Sequence, residues 1–315
     1  MTGAFLRPQS RRAGLVAGAL ALGACVAGPG AAQSAATADT AALMRDVRVL
    51  AADSMEGRRA GTPGGLRARA WLVGRIRSLG LDSVQGGYEH RFSFRGDSVQ
   101  GVNLLGLVRG TAEPDRYVVI SAHYDHVGVR NGQVYNGADD NASGTAAVLA
   151  LARAIREAPL RHSVIFAWLD AEEMGLQGAR AFVAAPPVPR ERIVLNVNLD
   201  MVGHSDAGEL FAAGTSHYPE LRPALDSVAA HAPIRLRFGH DRKDVPAEKD
   251  WTGDSDHGAF HAVGIPFIYF GVEDHQDYHK PSDDPETLTP AFYGKAVATI
   301  ETAVRALDRR LLRTR

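Results

Sequence analysis

The sequence predicts an α/β domain built on a mainly parallel, mixed central sheet with helices on both faces. Three observations carry this. Short, continuously apolar runs alternate with stretches of helical periodicity from Val102 to Arg310, as expected of strands buried on both faces. Acidic and imidazole residues cluster just after several of those runs, where open α/β sheets place their sites. The chain has 315 residues, 45% of them hydrophobic and 23% charged, enough for one large globular domain.

The N-terminus reads differently. Arg7, Arg11 and Arg12 precede an apolar run from Ala13 to Ala27 and a small-residue stretch from Gly28 to Ala32. This is the layout of an export signal spanning residues 1–32, with cleavage near Ala32 as the default. Leu22-Gly23-Ala24-Cys25 resembles a lipobox, in which Cys25 becomes a lipid anchor. The other reading of Cys25 is a small residue in the signal core. Ser10-Arg11-Arg12 resembles half of a twin-arginine signal. No other segment reaches roughly 18 apolar residues, so no mature transmembrane helix is expected. Cys25 is the only cysteine, so the exported domain needs no disulfide. Removing the three arginines from a formal charge of −1 leaves −4, and no charge block argues for nucleic acid.

Residues 33–42 are rich in Ala, Ser and Thr and read as a flexible leader; residues 43–315 read as a single domain. Leu43, Val47 and Leu50 have helical spacing. Gly57 to Gly65 reads as a loop. Arg67–Leu79 follows as a helix with Trp71, Leu72, Ile76 and Leu79 on one side and Gly80 at its end. Strands are then expected at Val102–Val108, Tyr117–Ala122, Val164–Leu169, Ile193–Leu199 and Ile265–Phe270. Helices are expected at Ser143–Glu157, near Gly178–Ala184, at Glu220–Ala230 and at Pro290–Arg310.

The chemistry sits at the strand ends. His123 and Asp125, two apart on extended chain, project to one side; His123 suits a metal, with Asp125 holding its other ring nitrogen. Asn136 to Gly144 is a turn feeding a helix, and a helix cap explains one acidic residue but not both Asp139 and Asp140. A carboxylate held there could bridge two metals. Glu172-Glu173 reads either as a pair complementing a helix dipole or as a metal ligand beside a general base. Asp200 supplies a carboxylate to balance His123. His279 offers a second imidazole, and Tyr278 a donor to the oxyanion of carbonyl attack. Such a set suits two divalent metals sharing one carboxylate, with water activated between them.

Other histidines are not needed by that pair. His126, His204, His257, His261 and His275 lie near the clusters, whereas His217, His231 and His240 read as surface residues of an insertion over 204–252. Asp254-Ser255-Asp256-His257 reads as a possible support for the site. Trp251 either lines a pocket or packs.

Together these residues resemble peptidase family M28, the zinc-dependent aminopeptidases that include secreted bacterial leucine-type enzymes. The resemblance spans residues 43 to 308 and rests on five motifs in order: His123-Tyr124-Asp125, Gly137 to Gly144, Ala171-Glu172-Glu173 with Gly175, Asn198-Leu199-Asp200-Met201, and Tyr278-His279. It implies the phosphorylase/hydrolase-like zinc exopeptidase sandwich. It implies two Zn2+ bridged by Asp140, with His123 and Asp200 on one ion and Glu173 and His279 on the other. Glu172 would be general base and later acid, Asp125 would orient His123, and a cis peptide would join Asp140 to Asn141. Tyr278 matches only some members. The stretch between Val99 and Asp115 leaves no room for the protease-associated domain that some members insert.

The expected function is therefore an exported metallo-aminopeptidase, periplasmic or extracellular, acting on peptide substrates. Mn2+ or Co2+ would suit the same donors, and availability favours zinc. A glutaminyl-cyclase-like acyltransferase, with one zinc, is the alternative from a second reaction class. Carboxypeptidase and dipeptidase relatives use the same residues, and an inactive binding homologue is the non-enzymatic reading. Every expected ligand position is filled.

Overall fold

A computed structural model describes residues 1, 3, 38–242, 246 and 249–311. The export signal, the Cys25 anchor and most of the leader lie outside the described residues. The described residues from Ala38 onward fall within one compact unit, Ala35–Arg315.

The first helix begins earlier than expected. α1 spans Thr40–Leu50, and the Asp39 carboxylate accepts the Ala42 N–H at 3.0 Å, which satisfies an otherwise orphaned helix donor. Residues 40–42 are thus helical rather than leader. α2 runs over Pro63–Ser78 and ends as predicted at Gly80, which has φ +63°.

Ten strands follow: β1 Glu89–Phe94, β2 Val99–Val108, β3 Glu113–His123, β4 Gly128–Arg130, β5 Gln133–Tyr135, β6 His162–Leu169, β7 Ile193–Leu199, β8 Glu209–Ala213, β9 Arg235–Phe238 and β10 Phe267–Gly271. The remaining helices are α3 Gly144–Glu157, α4 Gln177–Ala184, α5 Arg222–Ala229, α6 His257–Ala262 and α7 Pro290–Leu311. Strands β4 and β5 form a small hairpin. The other eight form one sheet in the order β1-β2-β6-β3-β7-β10-β8-β9.

The central strands β6, β3, β7 and β10 run parallel to one another. Every residue of β6 is buried, as the apolar run required. Alternate residues serve opposite faces. Val118, Ile120 and Ala122 of β3, with Phe166 and Trp168 of β6, join the core that holds α1, α2, α3, α5 and α7. Val119, Ile165, Ala167 and Leu169 meet Phe182 of α4 and Phe260 of α6 on the other face.

Strands β1, β8 and β9, the β4–β5 hairpin and α6 were not expected. The flanking pairs β1/β2, β2/β6 and β10/β8 are antiparallel, so the sheet is mixed. β1 alternates exposed and less exposed residues and never forms an apolar run. β8 and β9 build the edge out of the region read as an insertion.

The parallel pairing aligns the strand ends. His123 sits beside Leu169, Ser121 beside Asn198 and Phe270 beside Leu199. Residues that follow β3, β6 and β7 therefore emerge side by side along one edge.

Candidate metal centre

Local folding fixes the first donors. His123 ends β3 and is buried, and its carbonyl accepts the Thr145 hydroxyl at 2.7 Å. Just beyond, the chain is held by a buried cation. Arg58 donates to the carbonyls of Tyr124 (2.9 Å), Leu50 (2.8 Å), Asn136 (2.5 Å) and Gly137 (2.8 Å). Burial lowers its pKa to about 10, against the pull of Asp140 and Asp283. Arg58 ends a short 3-10 helix over Asp53–Arg58, in a stretch that the sequence reads as a loop and where no local pattern marks it.

The turn from Gly137 to Ser143 is pinned from three directions. The Asp283 carboxylate accepts the N–H groups of Asp139 (2.9 Å) and Asp140 (3.0 Å). Asn141 accepts from the Gly144 N–H and donates to the Leu199 carbonyl, both at 2.9 Å. Asp139 accepts the Gly203 N–H at 2.7 Å. The Asp140–Asn141 peptide is cis. Gly137 has φ +58°, and a Cβ there would lie 2.1 Å from the Asp140 carbonyl and 2.5 Å from the His126 ring, so only glycine fits.

Asp140 divides its carboxylate between two donor groups. Oδ1 lies 3.4 Å from His123 Nε2, which is 3.2 Å from Asp200 Oδ1. Oδ2 lies 3.1 Å from His279 Nε2, which is 3.3 Å from Glu173 Oε1. A tetrahedral zinc with bonds of about 2.0–2.2 Å separates its ligands by about 3.3–3.6 Å. The donors already stand at that spacing. Glu173 Oε1 is buried with no hydrogen-bond partner, an orphan that a cation would satisfy. The residues fit a pair of metals sharing one carboxylate.

His126, set aside on sequence grounds, enters this cluster. Its Nδ1 stands 2.7 Å from Glu173 Oε1 and 3.7 Å from Asp140 Oδ2. His126, Asp140 and Glu173 form one of two candidate ion-binding groups among the described residues, the other being His123, Asp140 and Asp200.

Electrostatics separate the two neighbouring glutamates. Burial raises the Glu172 pKa well above the ordinary value, opposed by His123 and reinforced by Asp200, Asp256 and Asp125. Burial would raise Glu173 as well, but His126 and His279 bring it down to about 2. Glu173 is therefore ionised, and Glu172 is a carboxylate with high proton affinity. Its Oε2 lies 3.9 Å from His123 Nε2. The pair sits in a loop before α4, so it does not start a helix.

Asp125 meets the His123 ring with two groups. The oxygen nearest His123 Nδ1 is the backbone carbonyl of Asp125, at 3.1 Å. The carboxylate Oδ1 is 3.7 Å away and instead accepts the Glu172 N–H at 3.0 Å. The side chain thus holds the backbone of Glu172.

The Asp254–His257 segment does support the site. Ser255 donates to Asp200 Oδ2 at 2.6 Å and accepts from Asn198 at 2.9 Å. Asn198 in turn accepts from Ser121 at 2.7 Å. Trp251 both lines the cleft and packs, stacking on His240 with ring centroids 3.7 Å apart. His217 and His240 are half-buried, not surface residues; His217 packs against His261 and Phe267. His275 lies 3.2 Å from Asp139 Oδ2 and stacks on His204, away from the donor groups.

The cluster floors a cleft of about 420 Å³ whose wall includes Trp251, Asp254, Tyr269, Asp274 and Tyr278. Tyr278 is half-buried and stacked on His279 at 4.0 Å. Burial, with Asp140 and Asp200 nearby, pushes its pKa far up, so the phenol keeps its proton.

A family model described as peptidase family M28 matches residues 103–304. Aminopeptidase YwaD of Bacillus subtilis (strain 168) is 31% identical over 218 residues, which cover 64% of this chain and 44% of that protein. The glutamate carboxypeptidase 2 homolog of Caenorhabditis briggsae is 29% identical over 221 residues, covering 59% of this chain and 26% of that one. The chain thus spans less than half the length of either relative. Among solved structures, the aminopeptidase from Aneurinibacillus sp. strain AM-1 superposes with a TM-score of 0.69 at 16% identity, covering 86% of this chain and 94% of that one. Glutaminyl cyclase of Porphyromonas gingivalis superposes with a TM-score of 0.67 at 18% identity, covering 85% and 98%. Both share the fold.

Proposed function

The chain belongs to peptidase family M28, and from that membership and the donor geometry we propose that it is an exported aminopeptidase. It works with two divalent cations, zinc by preference, and releases residues from the free N-terminus of peptides. The observation that carries this reading is the division of Asp140, one oxygen toward His123 and the other toward His279.

His123, Asp140 and Asp200 would hold one ion; Asp140, Glu173 and His279 would hold the other. When bound, such a pair polarises a carbonyl and acidifies water. The chain's own groups supply the rest. Glu172, with its raised proton affinity, takes the proton of the attacking water and passes it to the departing amine. Tyr278 donates its hydroxyl proton to the developing oxyanion. Asp125 holds the backbone of the base. Asp254 and Asp274 give the cleft wall a negative face, which suits a substrate ammonium better than a C-terminal carboxylate.

The test is a screen of free and N-blocked peptides on metal-replete protein, with a metal count. Cleavage of free N-termini with two ions per chain supports the reading. Preference for blocked peptides would turn it toward carboxypeptidase action, and cyclisation of N-terminal glutamine with one ion toward the cyclase. Export rests on the layout from Arg7 to Ala32. Mass analysis of the mature N-terminus tests it: a start near Gln33 marks cleavage, and a lipid on Cys25 marks an anchor.

A further inference from the structure

We infer that His126 is a fourth protein ligand of the second ion, bound through Nδ1, so that this ion is enclosed while the ion at His123 stays open to substrate. The inference rests on the dimetal reading above and deepens it.

Three observations lead there. First, the ring is fully buried, and neither of its nitrogens has a hydrogen-bond partner. A buried polar atom without a partner is costly. Glu173 Oε1 is only 2.7 Å from Nδ1, yet it too lacks a hydrogen bond. Two such atoms facing each other at that distance are arranged as neighbouring ligands of a shared cation.

Second, the spacing suits one polyhedron. Around the second position stand His126 Nδ1, Asp140 Oδ2, Glu173 Oε1 and His279 Nε2. The contacts among them are 2.7, 3.7, 3.1 and 3.3 Å. They scatter about the tetrahedral ligand separation of about 3.3 Å.

Third, the ring is seated by design of the backbone around it. Gly137 leaves the space that a Cβ would take from the His126 ring. Arg58 ties the carbonyls of Tyr124 and Gly137, which flank His126 and begin the Asp140 turn.

The first position has a different count. His123, Asp140 and Asp200 supply three donors there, and Glu172 stands across from them. Closed four-ligand zinc sites are structural, and three-ligand sites keep a position for water or substrate. The two ions therefore have unequal jobs: the one at His123 meets the reacting groups, and the one at His126 holds the Asp140 turn, the Glu173 loop and His279 together.

X-ray absorption of the wild-type dizinc protein tests this without a mutation. Three imidazoles shared between two ions is the expected count; two would overturn the inference. In parallel, stoichiometry after dialysis against a graded chelator compares wild type with His126→Ala and His126→Gln. The expected result is two ions in wild type and one in each variant, the lost ion binding weaker by on the order of 100-fold. Retention of two ions with unchanged affinities and an unchanged Co2+ absorption spectrum would overturn it. A wild type that binds fewer than two ions would instead sink the dimetal reading itself.

Discussion

Ser255 donates its hydroxyl proton to Asp200 Oδ2 at 2.6 Å, and this leaves Asp200 Oδ1 as the oxygen facing His123. The hydroxyl orients a ligand it does not replace. Ser255→Ala should weaken binding of one ion by about 10–100-fold, the usual effect of removing such a support. Competition with a chromogenic chelator would show it; unchanged affinity would mean that Asp200 is held by packing alone.

Glu172→Gln should keep both ions and nearly abolish turnover. The amide cannot take up a proton, and loss of a positioned base costs about 10²–10⁴-fold. Metal content and kcat measured on one preparation separate this outcome from a failure to bind metal.

Tyr278→Phe should lower kcat by about 10²-fold, the scale of losing one oxyanion donor, with metal content unchanged. The stacking on His279 survives the change, so an altered metal count would reassign Tyr278 to holding that ring.

Arg58→Met should destabilise the fold by about 3 kcal/mol or more, since it strands four buried carbonyl acceptors. Urea unfolding of the metal-free protein measures it. The same change should weaken metal binding, because the freed carbonyls belong to the segments carrying His123, His126 and Asp140.

His257 makes stability sensitive to acid. It is fully buried, and burial lowers its pKa to about 3, only partly offset by the contact with the Trp251 carbonyl at 2.8 Å. The folded form therefore holds the ring neutral while the unfolded chain takes up a proton near its ordinary value of about 6.5. Its contribution is complete above that value and falls as pH drops from about 6.5 toward 3, at up to about 1.4 kcal/mol per pH unit. His257→Phe keeps a ring beside Phe267 and Tyr269 and removes the proton. Metal-free His257→Phe should show a shallower fall in unfolding free energy across that window than metal-free wild type.

The central strands are legible in the sequence because burial on both faces forces an apolar run, as in Val164–Leu169. The edge strands are not: Glu89–Phe94 faces solvent at alternate positions and resembles an amphiphilic loop. His123, Asp140, Glu172, Glu173, Asp200 and His279 stand out because each follows a strand or opens a turn, and the structure brings them into one cluster. His126 does not stand out. A histidine three residues past His123 has no periodicity to mark it, and only the bend after β3 turns Nδ1 toward Glu173. Arg58 is equally silent, since its partners are four backbone carbonyls from three separate segments. For Asp125, spacing fixes the side of the chain but not which of its oxygens lies nearest the ring.

Asp283 reaches the Asp139 and Asp140 amides with its carboxylate, and its own carbonyl accepts the Ala138 N–H at 3.0 Å. It lies four residues beyond His279 on the same loop. The rim that contributes His279 is thereby latched to the floor that contributes Asp140. Swinging that rim aside to admit a bulky peptide would pull on the hinge of the metal cradle itself.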